Sequence, residues 1–307
     1  MPTAQEVRET ISRAYSQMSE EKLKNAQIAF FGGSFTAIDR ELMISYLEAT
    51  RGFVGEGKIP SIRLSTRPDA IDEEILSILK SYGVRSIELG CQSMAQDVLD
   101  KNNRGHKVSD TIKSAELIKK SGFELGVQMM VGLYGDTREK CLETARELAS
   151  LEPVTARIYP TIVIKNTPLE TLYNQGKYKP LSIDEAVDIS SAVLEIFEEK
   201  GINVIRLGLH SEESLKNDMV AGPFHDAFRE LCEGEILFKK ALSILEKNEI
   251  QRGREINIFV NPSSISKMIG HRRRNILRLE EMGYRIRVRE DSLLDRLSVR
   301  IGEEVKF

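Results

Sequence analysis

The stretch IAFFGGSF, residues 28–35, decides the fold, because an apolar strand here runs directly into two adjacent glycines. Such a strand end leaves backbone amides and carbonyls free of side chains, so a ligand can approach closely. Taken alone, a Gly-Gly pair is better explained as a simple turn. The pair indicates a ligand site only together with three further strand ends that follow it in order, RLSTRPD (63–69), IELGCQS (87–93) and VQMMVGLYGDT (127–137).

Short β-branched runs alternate with amphipathic stretches along the first 210 residues. Predicted strands cover 27–31, 61–65, 86–90, 124–130, 157–163 and 203–207, and predicted helices cover 39–54, 72–81, 109–121, 138–150 and 183–200. This alternation predicts a parallel sheet with right-handed crossover helices, an α/β fold. We expect strands that are apolar on both faces, as buried parallel strands are. Sites in parallel barrels lie at the carboxyl ends of strands.

Composition limits the class of protein. Hydrophobic residues make up 41% and charged residues 30% of 307 residues, which suits a globular barrel with an appendage. The apolar runs are too short to cross a bilayer, and the first residues lack a secretory core. The three cysteines, Cys91, Cys141 and Cys232, are far apart and fit a reducing compartment. We therefore expect a cytoplasmic protein with no membrane partner.

Polar side chains stand at the strand ends, and each has a functional and a structural interpretation. Arg67 could hold a carboxylate or phosphate, or could pair with an acid on the next helix. Glu88 lies within an apolar run, so it is either paired or turned towards a ligand. Arg104 follows on the loop NNRGH, and arginine is suited to bidentate contact with a carboxylate. Gln128 is a polar residue in a strand that otherwise indicates core.

Taken together, TRPD, IELGCQS, NNRGH and the Met pair at 129–130 resemble radical SAM enzymes, most closely the catalytic subunit of elongator and its relatives. The segment RIYPTIVIKNTPLETLYNQGKYKP (157–180) extends the likeness. Oxygen-independent coproporphyrinogen III oxidases share the skeleton more loosely. The resemblance implies a partial parallel (β/α) barrel that binds S-adenosylmethionine for radical chemistry.

The resemblance also implies that the cofactor is contacted by Gly32, Gly33, Ser34, Gln92, Arg104 and Gln128. Of these, Gly32, Gly33 and Ser34 would hold the amino group of the methionine moiety. Thr66, Arg67 and Glu88 are further candidates because they lie at or near the same strand ends. Two positions depart from the family pattern, since Ser65 replaces the usual Glu of elongator-like sequences and Gln128 replaces an Asp of the porphyrinogen enzymes.

The family holds a [4Fe–4S] cluster in a three-cysteine loop, CxxxCxxC, which this sequence does not contain. We interpret all three cysteines as packing residues and assign no metal ligand. In the family this loop precedes the helix before IAFFGG, and that helix falls near residue 1 here. We expect the first strand and the cluster loop to be missing from the chain, which would make it inactive alone. The alternative is a natural relative that kept the barrel only for binding.

A missing strand would also affect assembly. Residues 27–31 would then have an unpaired edge, which favours a homo-oligomer through the exposed barrel edge.

The pattern changes near residue 250, after the polar stretch KNEIQRGRE. We predict a radical SAM partial barrel over 1–249 and a small α+β domain over 250–307. NPSSISKMIGHRRRNILRLEEMGYRIRVRED (261–291) resembles a KH module, in which a GxxG loop grips a nucleic-acid backbone. Arg273 replaces the second glycine, so a solvated basic loop is the alternative. The candidate RNA-binding residues are Lys267, Gly270, Arg272, Arg273 and Arg274.

Charge supports an RNA partner only weakly. Residues 251–307 carry 13 Lys and Arg against 8 Asp and Glu, whereas the whole chain has 44 against 47. The resemblance as a whole implies a radical SAM enzyme directed at tRNA or another RNA. Small-molecule radical chemistry of the coproporphyrinogen type and a non-catalytic RNA-binding protein remain the alternatives.

Overall fold

The computed structural model describes residues 1–302 except Ser211, Ile250 and Arg254. The parts of the predicted linker and C-terminal domain that fall on 250, 254 and 303–307 lie outside the described residues. The helices are α1 Ala4–Ser16, α2 Glu20–Lys24, α3 Arg40–Ala49, α4 Glu73–Ser81, α5 Gln96–Lys101, α6 Val108–Lys120, α7 Arg138–Ser150, α8 Pro168–Asn174, α9 Ile183–Glu199, α10 Glu213–Asp218, α11 Phe228–Lys247, α12 Ile265–Ile269 and α13 Arg274–Glu281. The strands are β1 Gln27–Phe30, β2 Ser61–Thr66, β3 Val84–Gln92, β4 Glu124–Val131, β5 Thr155–Pro160, β6 Val163–Ile164, β7 Asn203–Leu207, β8 Met219–Ala221, β9 Glu255–Val260, β10 Arg285–Glu290 and β11 Val299–Gly302.

One six-stranded sheet has the order β1-β2-β3-β4-β5-β7. Neighbouring strands from β1 to β4 pair in parallel, with helices between them in sequence. Helices begin where a short polar side chain caps them, as Asp39, Asp72 and Thr137 do by accepting a backbone amide hydrogen bond. The predicted α/β partial barrel is therefore confirmed. Strand β1 forms an edge of this sheet, with β2 beside it.

The two faces of the sheet differ in chemistry, so the expectation that the strands are apolar on both faces is wrong. Ile62, Leu64, Ile87 and Leu89 are fully buried on the face against which α4, α6 and α7 pack. Residues that alternate with them are polar, because successive side chains of a strand point to opposite faces. The polar face, as we call it, carries Arg63, Ser65, Glu88, Gln128 and Arg157.

The chain divides into two compact units. The first comprises Met1–Ile158 with Phe197–Arg206, and the second comprises Tyr159–Ile196 with Leu207–Phe307. The boundary predicted at residue 250 stays a prediction. Across the part of the chain that the structure describes, no helix has both the length and the apolar character needed to span a membrane.

Within the second unit, a small sheet has the order β10-β9-β11. Strand β9 is parallel to β10 and antiparallel to β11. Its apolar residues share one core with the C-terminal half of α11 and with α12 and α13. The buried members are Leu237, Phe238, Ala241, Leu245, Ile256, Ile258, Val260, Met268, Leu279 and Tyr284. A helix that precedes residue 250 thus completes this core.

Candidate functional site

The end of β1 presents bare backbone. Gly32 has a φ of +99°, which disfavours any side chain. Apart from chain neighbours, no described atom lies within 4 Å of the place where a Cβ of Gly32 or Gly33 would stand. Both glycines are exposed, and with Ser34 they line a pocket of about 210 Å³ that also contacts Tyr46. The predicted ligand-facing glycine turn is therefore accessible from solvent.

The end of β2 is fastened to the loop after β1 by two buried hydroxyls. The Oγ1 atoms of Thr36 and Thr66 are 2.6 Å apart, and Thr36 Oγ1 donates to the Ala70 carbonyl at 2.5 Å. Since a hydroxyl carries one proton, Thr66 donates to Thr36. Thr66, predicted to touch the cofactor, is thus used to position the glycine loop.

Arg67 follows Thr66 and lies against the NNRGH loop. Its Nε and Nη2 atoms donate to the two carboxylate oxygens of Asp69, at 2.7 and 2.6 Å. These hydrogen bonds hold the pKa of Asp69 below its usual value. A Cβ at Gly105 would stand 2.8 Å from Arg67 Nη2, so a larger residue there would displace the guanidinium, and the φ of +79° also favours glycine. Of the two sequence interpretations, the structure shows the pairing with an acid.

Arg104 differs from the other arginines at this edge. Its side chain is half-buried, and it has no ion pair or side-chain hydrogen bond among the residues that the structure describes. Burial, and then the nearby positive charge of Arg67, lower the pKa of Arg104. Arg67 thus has a carboxylate partner in Asp69, whereas the guanidinium of Arg104 has none among the described residues. An anionic ligand would complete this arrangement, since buried charges are otherwise paired.

The loop that carries Arg104 is held at both ends. The ring Nε2 of buried His106 donates to the Cys91 carbonyl at 3.1 Å, which ties the loop to β3. Asn102 Nδ2 donates to the Tyr134 carbonyl at 2.9 Å, and the Tyr134 amide donates to Asn102 Oδ1 at 3.2 Å. The ends of β1, β2, β3 and β4 are therefore joined by direct contacts into one edge, which we call the carboxyl edge.

Gln92 lies in a strained conformation at this edge. Its φ is +64°, in the left-handed region that residues other than glycine rarely adopt. The pairing of β3 with β4 shifts in register between Gly90 and Gln92. A Cβ at Gly90 would stand 2.8 Å from Gln92 Nε2, so the glutamine amide folds back over the glycine. Strain of this kind concentrates at functional sites, and no local sequence pattern predicts it here.

Glu88 lies on the polar face and is fully paired. Its carboxylate accepts from Arg63 Nη2 at 2.6 Å, from Arg157 Nε at 2.6 Å and Nη2 at 3.2 Å, and from Gln128 Nε2 at 3.0 Å. Glu88 is 1% exposed. Glu88 and Gln128, both predicted to contact the cofactor, therefore belong to one hydrogen-bonded cluster. Sequence reasoning missed Arg63 and Arg157, although both are isolated polar positions in apolar strands.

The GHRR loop between α12 and α13 is exposed. Arg272 and Arg273 have φ values of +51° and +63°, and a Cβ at Gly270 would stand 2.9 Å from the Asn275 amide nitrogen. Arg273 lies 3.7 Å from Glu280. Arg274 Nη1 lies 2.6 Å from Asp184 Oδ1, with both side chains largely exposed. The structure thus presents Arg272 and Arg273 to solvent on the loop and Arg274 at the start of α13.

Lys267 is placed differently from the loop arginines. Its ammonium lies 2.5 Å from a carboxylate oxygen of buried Glu233, and its side chain is only 11% exposed. Arg229 also pairs with Glu233, at 2.8 Å. The geometry gives Lys267 a structural partner on α11, away from the exposed loop.

Comparisons with known proteins agree with this fold. Residues 6–148 match the family model described as Radical SAM superfamily, and residues 153–237 match the Radical_SAM C-terminal domain. The chain carries both domains and belongs to the radical SAM superfamily.

Among its relatives is an uncharacterized protein of Methanocaldococcus jannaschii, 31% identical over 62% of this chain and 59% of the relative. The tRNA uridine(34) acetyltransferase of the same organism is 27% identical over 80% of this chain and 47% of the relative. Elongator complex protein 3 of Homo sapiens is 34% identical over 45% of this chain and 26% of the relative. The chain thus spans between about a quarter and three fifths of the length of these relatives.

A solved structure shares the fold. The archaeal Methanocaldococcus infernus Elp3 with an N-terminal deletion aligns with a TM-score of 0.57 and 24% identity, over 75% of this chain and 56% of that chain.

The superfamily implies a [4Fe–4S] cluster, but the cysteines of this chain do not fit one. Cys91, Cys141 and Cys232 are buried on β3, α7 and α11. Burial raises the pKa of Cys91 to about 12 and also raises the pKa values of Cys141 and Cys232, whereas cluster ligands are thiolates. Within residues 1–302, as far as they are described, no three His, Cys, Asp or Glu side chains converge to hold a metal.

Proposed function

We propose that this chain is the S-adenosylmethionine-binding barrel of a radical SAM protein that modifies tRNA or another structured RNA. The proposal that the barrel binds S-adenosylmethionine rests on the environment of Arg104. It is a half-buried guanidinium without a partner among the described residues, at a carboxyl edge where Gly32 and Gly33 leave the backbone open. An amino-acid zwitterion has the two charges that such an edge can bind.

The proposed roles follow from the contacts. The backbone of Gly32 and Gly33, with Ser34, would accept the amino group of the methionine moiety, and Arg104 would bind its carboxylate. Gln92, whose side chain folds over Gly90, would contact the remainder of the ligand.

The other predicted contact residues act less directly in this proposal. Thr66 and Arg67 position the loops, since their polar groups already bind Thr36 and Asp69. Glu88 and Gln128 would act through the polar-face cluster. In the superfamily, S-adenosylmethionine supplies the deoxyadenosyl group for radical chemistry.

The RNA half of the proposal rests on two observations. Relatives over much of the chain include tRNA uridine(34) acetyltransferases. In addition, Arg272 and Arg273 of the GHRR loop and Arg274 at the start of α13 are exposed, and basic side chains of this kind can bind a phosphate backbone. We propose residues 250–307 as the RNA-binding domain, with a cytoplasmic site of action. Association of two copies through the β1 edge stays a prediction.

Hydrogen exchange of the full chain tests both halves together. S-adenosylhomocysteine should protect amides at 31–36, 66–70 and 90–106, and an unmodified tRNA should protect amides at 265–280. Protection by S-adenosylhomocysteine elsewhere, or none at any concentration, would contradict the cofactor site. If S-adenosylhomocysteine protects amides and tRNA protects none, radical chemistry on a small molecule would be favoured over RNA modification.

A further inference from the structure

The polar-face cluster joins two arginines to one buried acid. Arg63 on β2 and Arg157 on β5 both bind the single carboxylate of Glu88 on β3. Their side chains are only 17% and 12% exposed, so water screens these charges poorly. The acid of β4, Glu124, already pairs with Arg85 at 2.8 Å and accepts from Ser86 at 2.6 Å. Within this cluster, the two guanidinium groups share the one carboxylate of Glu88.

One donor of this cluster has no acceptor. The Nε atom of Arg63 is buried and finds no hydrogen-bond partner among the residues that the structure describes. Buried donors of native proteins are almost always paired, so each exception calls for an explanation. Glu88 does not supply this partner, although its two oxygens accept from three side chains.

The arginine geometry is fixed before any ligand arrives. Arg157 is bound twice by Glu88, and its guanidinium lies 4.5 Å from the centroid of the Phe31 ring. Phe31 directly precedes Gly32, so the same residue links the cluster to the start of the glycine turn. Fixed arginines of this kind lose little entropy on binding an anion.

We propose that Arg63 and Arg157 form an oxyanion-binding site on the polar face, which takes a carboxylate or phosphate group of a ligand. The unpaired Arg63 Nε is the donor that the oxyanion would satisfy, beside a carboxylate that the two guanidinium groups share. This assigns an anion to the barrel in addition to the one that Arg104 binds, and it stands independently of the proposed function.

Titration of the full chain with sodium phosphate and with sodium acetate, at ionic strength held constant with chloride, tests the site. Arg63→Lys keeps the charge but removes the Nε donor, and Arg63→Met removes both while leaving the pair of Glu88 with Arg157. We expect anion affinity to fall in the order wild type, Arg63→Lys, Arg63→Met, with an overall loss of about tenfold or more. Arg85→Met, an arginine on the same sheet that pairs with Glu124, is the matched control and should bind as wild type does.

A second variant keeps the test decisive if Arg63 is needed for folding. Glu88→Gln raises the net charge of the cluster by one, so phosphate should raise its melting temperature more than that of the wild type. Unchanged anion affinity in both Arg63 variants, or a smaller phosphate effect in Glu88→Gln, would overturn the site.

The source of the oxyanion is read from competition with S-adenosylhomocysteine. If the carboxylate of S-adenosylhomocysteine occupies the cluster instead of contacting Arg104, phosphate and S-adenosylhomocysteine will exclude each other, and the carboxylate role proposed for Arg104 fails. If a substrate phosphate occupies the cluster, both will bind together. Each result supports the oxyanion site. Because phosphate binding is measured without S-adenosylhomocysteine, a failure of the proposed cofactor site would be detected separately.

Discussion

Glu88 and Arg157 form a bidentate ion pair across an intervening strand, with Nε–Oε2 at 2.6 Å and Nη2–Oε1 at 3.2 Å. Glu88 belongs to β3 and Arg157 to β5, so the side chains meet over β4. Gly126 of β4 is paired in register with Glu88 and leaves the space that the Glu88 side chain occupies. Residues of three strands thus fix the charges on the polar face.

Removal of the carboxylate should destabilise the fold strongly. Glu88→Ala would remove the carboxylate that two poorly hydrated guanidinium groups share, and we expect a loss of about 3–5 kcal/mol in the free energy of unfolding. Urea denaturation followed by circular dichroism measures it. Glu124→Ala removes a more exposed acid of the same sheet and should cost no more than about 1 kcal/mol. Equal losses in the two variants would show that the cluster adds no particular stability.

Gly126→Ala on β4 should disturb the same cluster, because Gly126 is paired in register with Glu88. Its Cβ would stand 2.7 Å from Glu88 Cγ and 2.9 Å from Thr155 Oγ1. Because ion pairs hold Glu88 in place, we expect a cost of about 1–3 kcal/mol in the free energy of unfolding. Gly33→Ala, where the space is open, is the control and should be close to neutral. A stable Gly126→Ala protein would mean that the pair can shift freely.

The three thiols should be unreactive in the native protein. Burial raises the pKa of Cys91 to about 12, so the thiolate is rare in the fold at pH 8. The native chain should therefore resist a disulfide reagent that labels all three thiols in urea. The pKa of Cys91 in the folded protein lies above the unfolded value of about 8.5, so burial of the neutral thiol contributes to the free energy of unfolding. That contribution is fully present below about pH 8.5 and is lost as the pH rises towards 12.

The same thiols give a further readout under anaerobic conditions. Iron and sulfide should leave the chain without a stoichiometric cluster, because protonated thiols are poor ligands. Rapid labelling of native Cys91, or a cluster that binds to the folded chain, would contradict this account of the cysteines.

The GHRR loop should bind RNA through charge. Arg272→Glu with Arg273→Glu should greatly weaken tRNA binding without unfolding the protein, since both side chains are exposed. Affinity of the wild type should fall as salt rises, because each neutralised phosphate releases counterions. Filter binding over a salt series measures both. Arg285→Glu with Arg287→Glu applies the same charge change to β10 and should have the smaller effect; equal effects would indicate nonspecific attraction only.

The order of elements and the carboxyl edge could be predicted from the sequence. Alternating apolar runs and helical periods determine a parallel sheet, and the strand-end motifs determine which edge carries the polar groups. The partners of Glu88 could not be predicted, because spacing along one strand does not give the register between strands. That register sets Glu88 beside Ser65 and Gly126, two small residues that let it reach arginines on both sides.

Two other features also depend on tertiary structure. The left-handed backbone of Gln92 arises from a register shift between β3 and β4, which no local pattern encodes. Lys267 was expected on the basic surface, but the close approach of α12 to α11 brings it to Glu233. A Cβ at Gly234 would stand only 2.8 Å from the Lys267 carbonyl, so this contact needs a glycine on α11.

The role of Arg104 can be measured directly by calorimetric titration of S-adenosylhomocysteine into the wild-type chain, Arg104→Ala and Arg85→Ala. We predict weak, saturable binding at one site in the wild type. Arg104→Ala should lose about 1.5–3 kcal/mol of binding free energy, roughly a 10- to 150-fold weaker affinity, because a charge-assisted pair is removed. Arg85→Ala, which changes an exposed arginine paired with Glu124, should bind as the wild type does. Equal affinity in Arg104→Ala and the wild type, or no binding by the wild type, would contradict the proposed cofactor site.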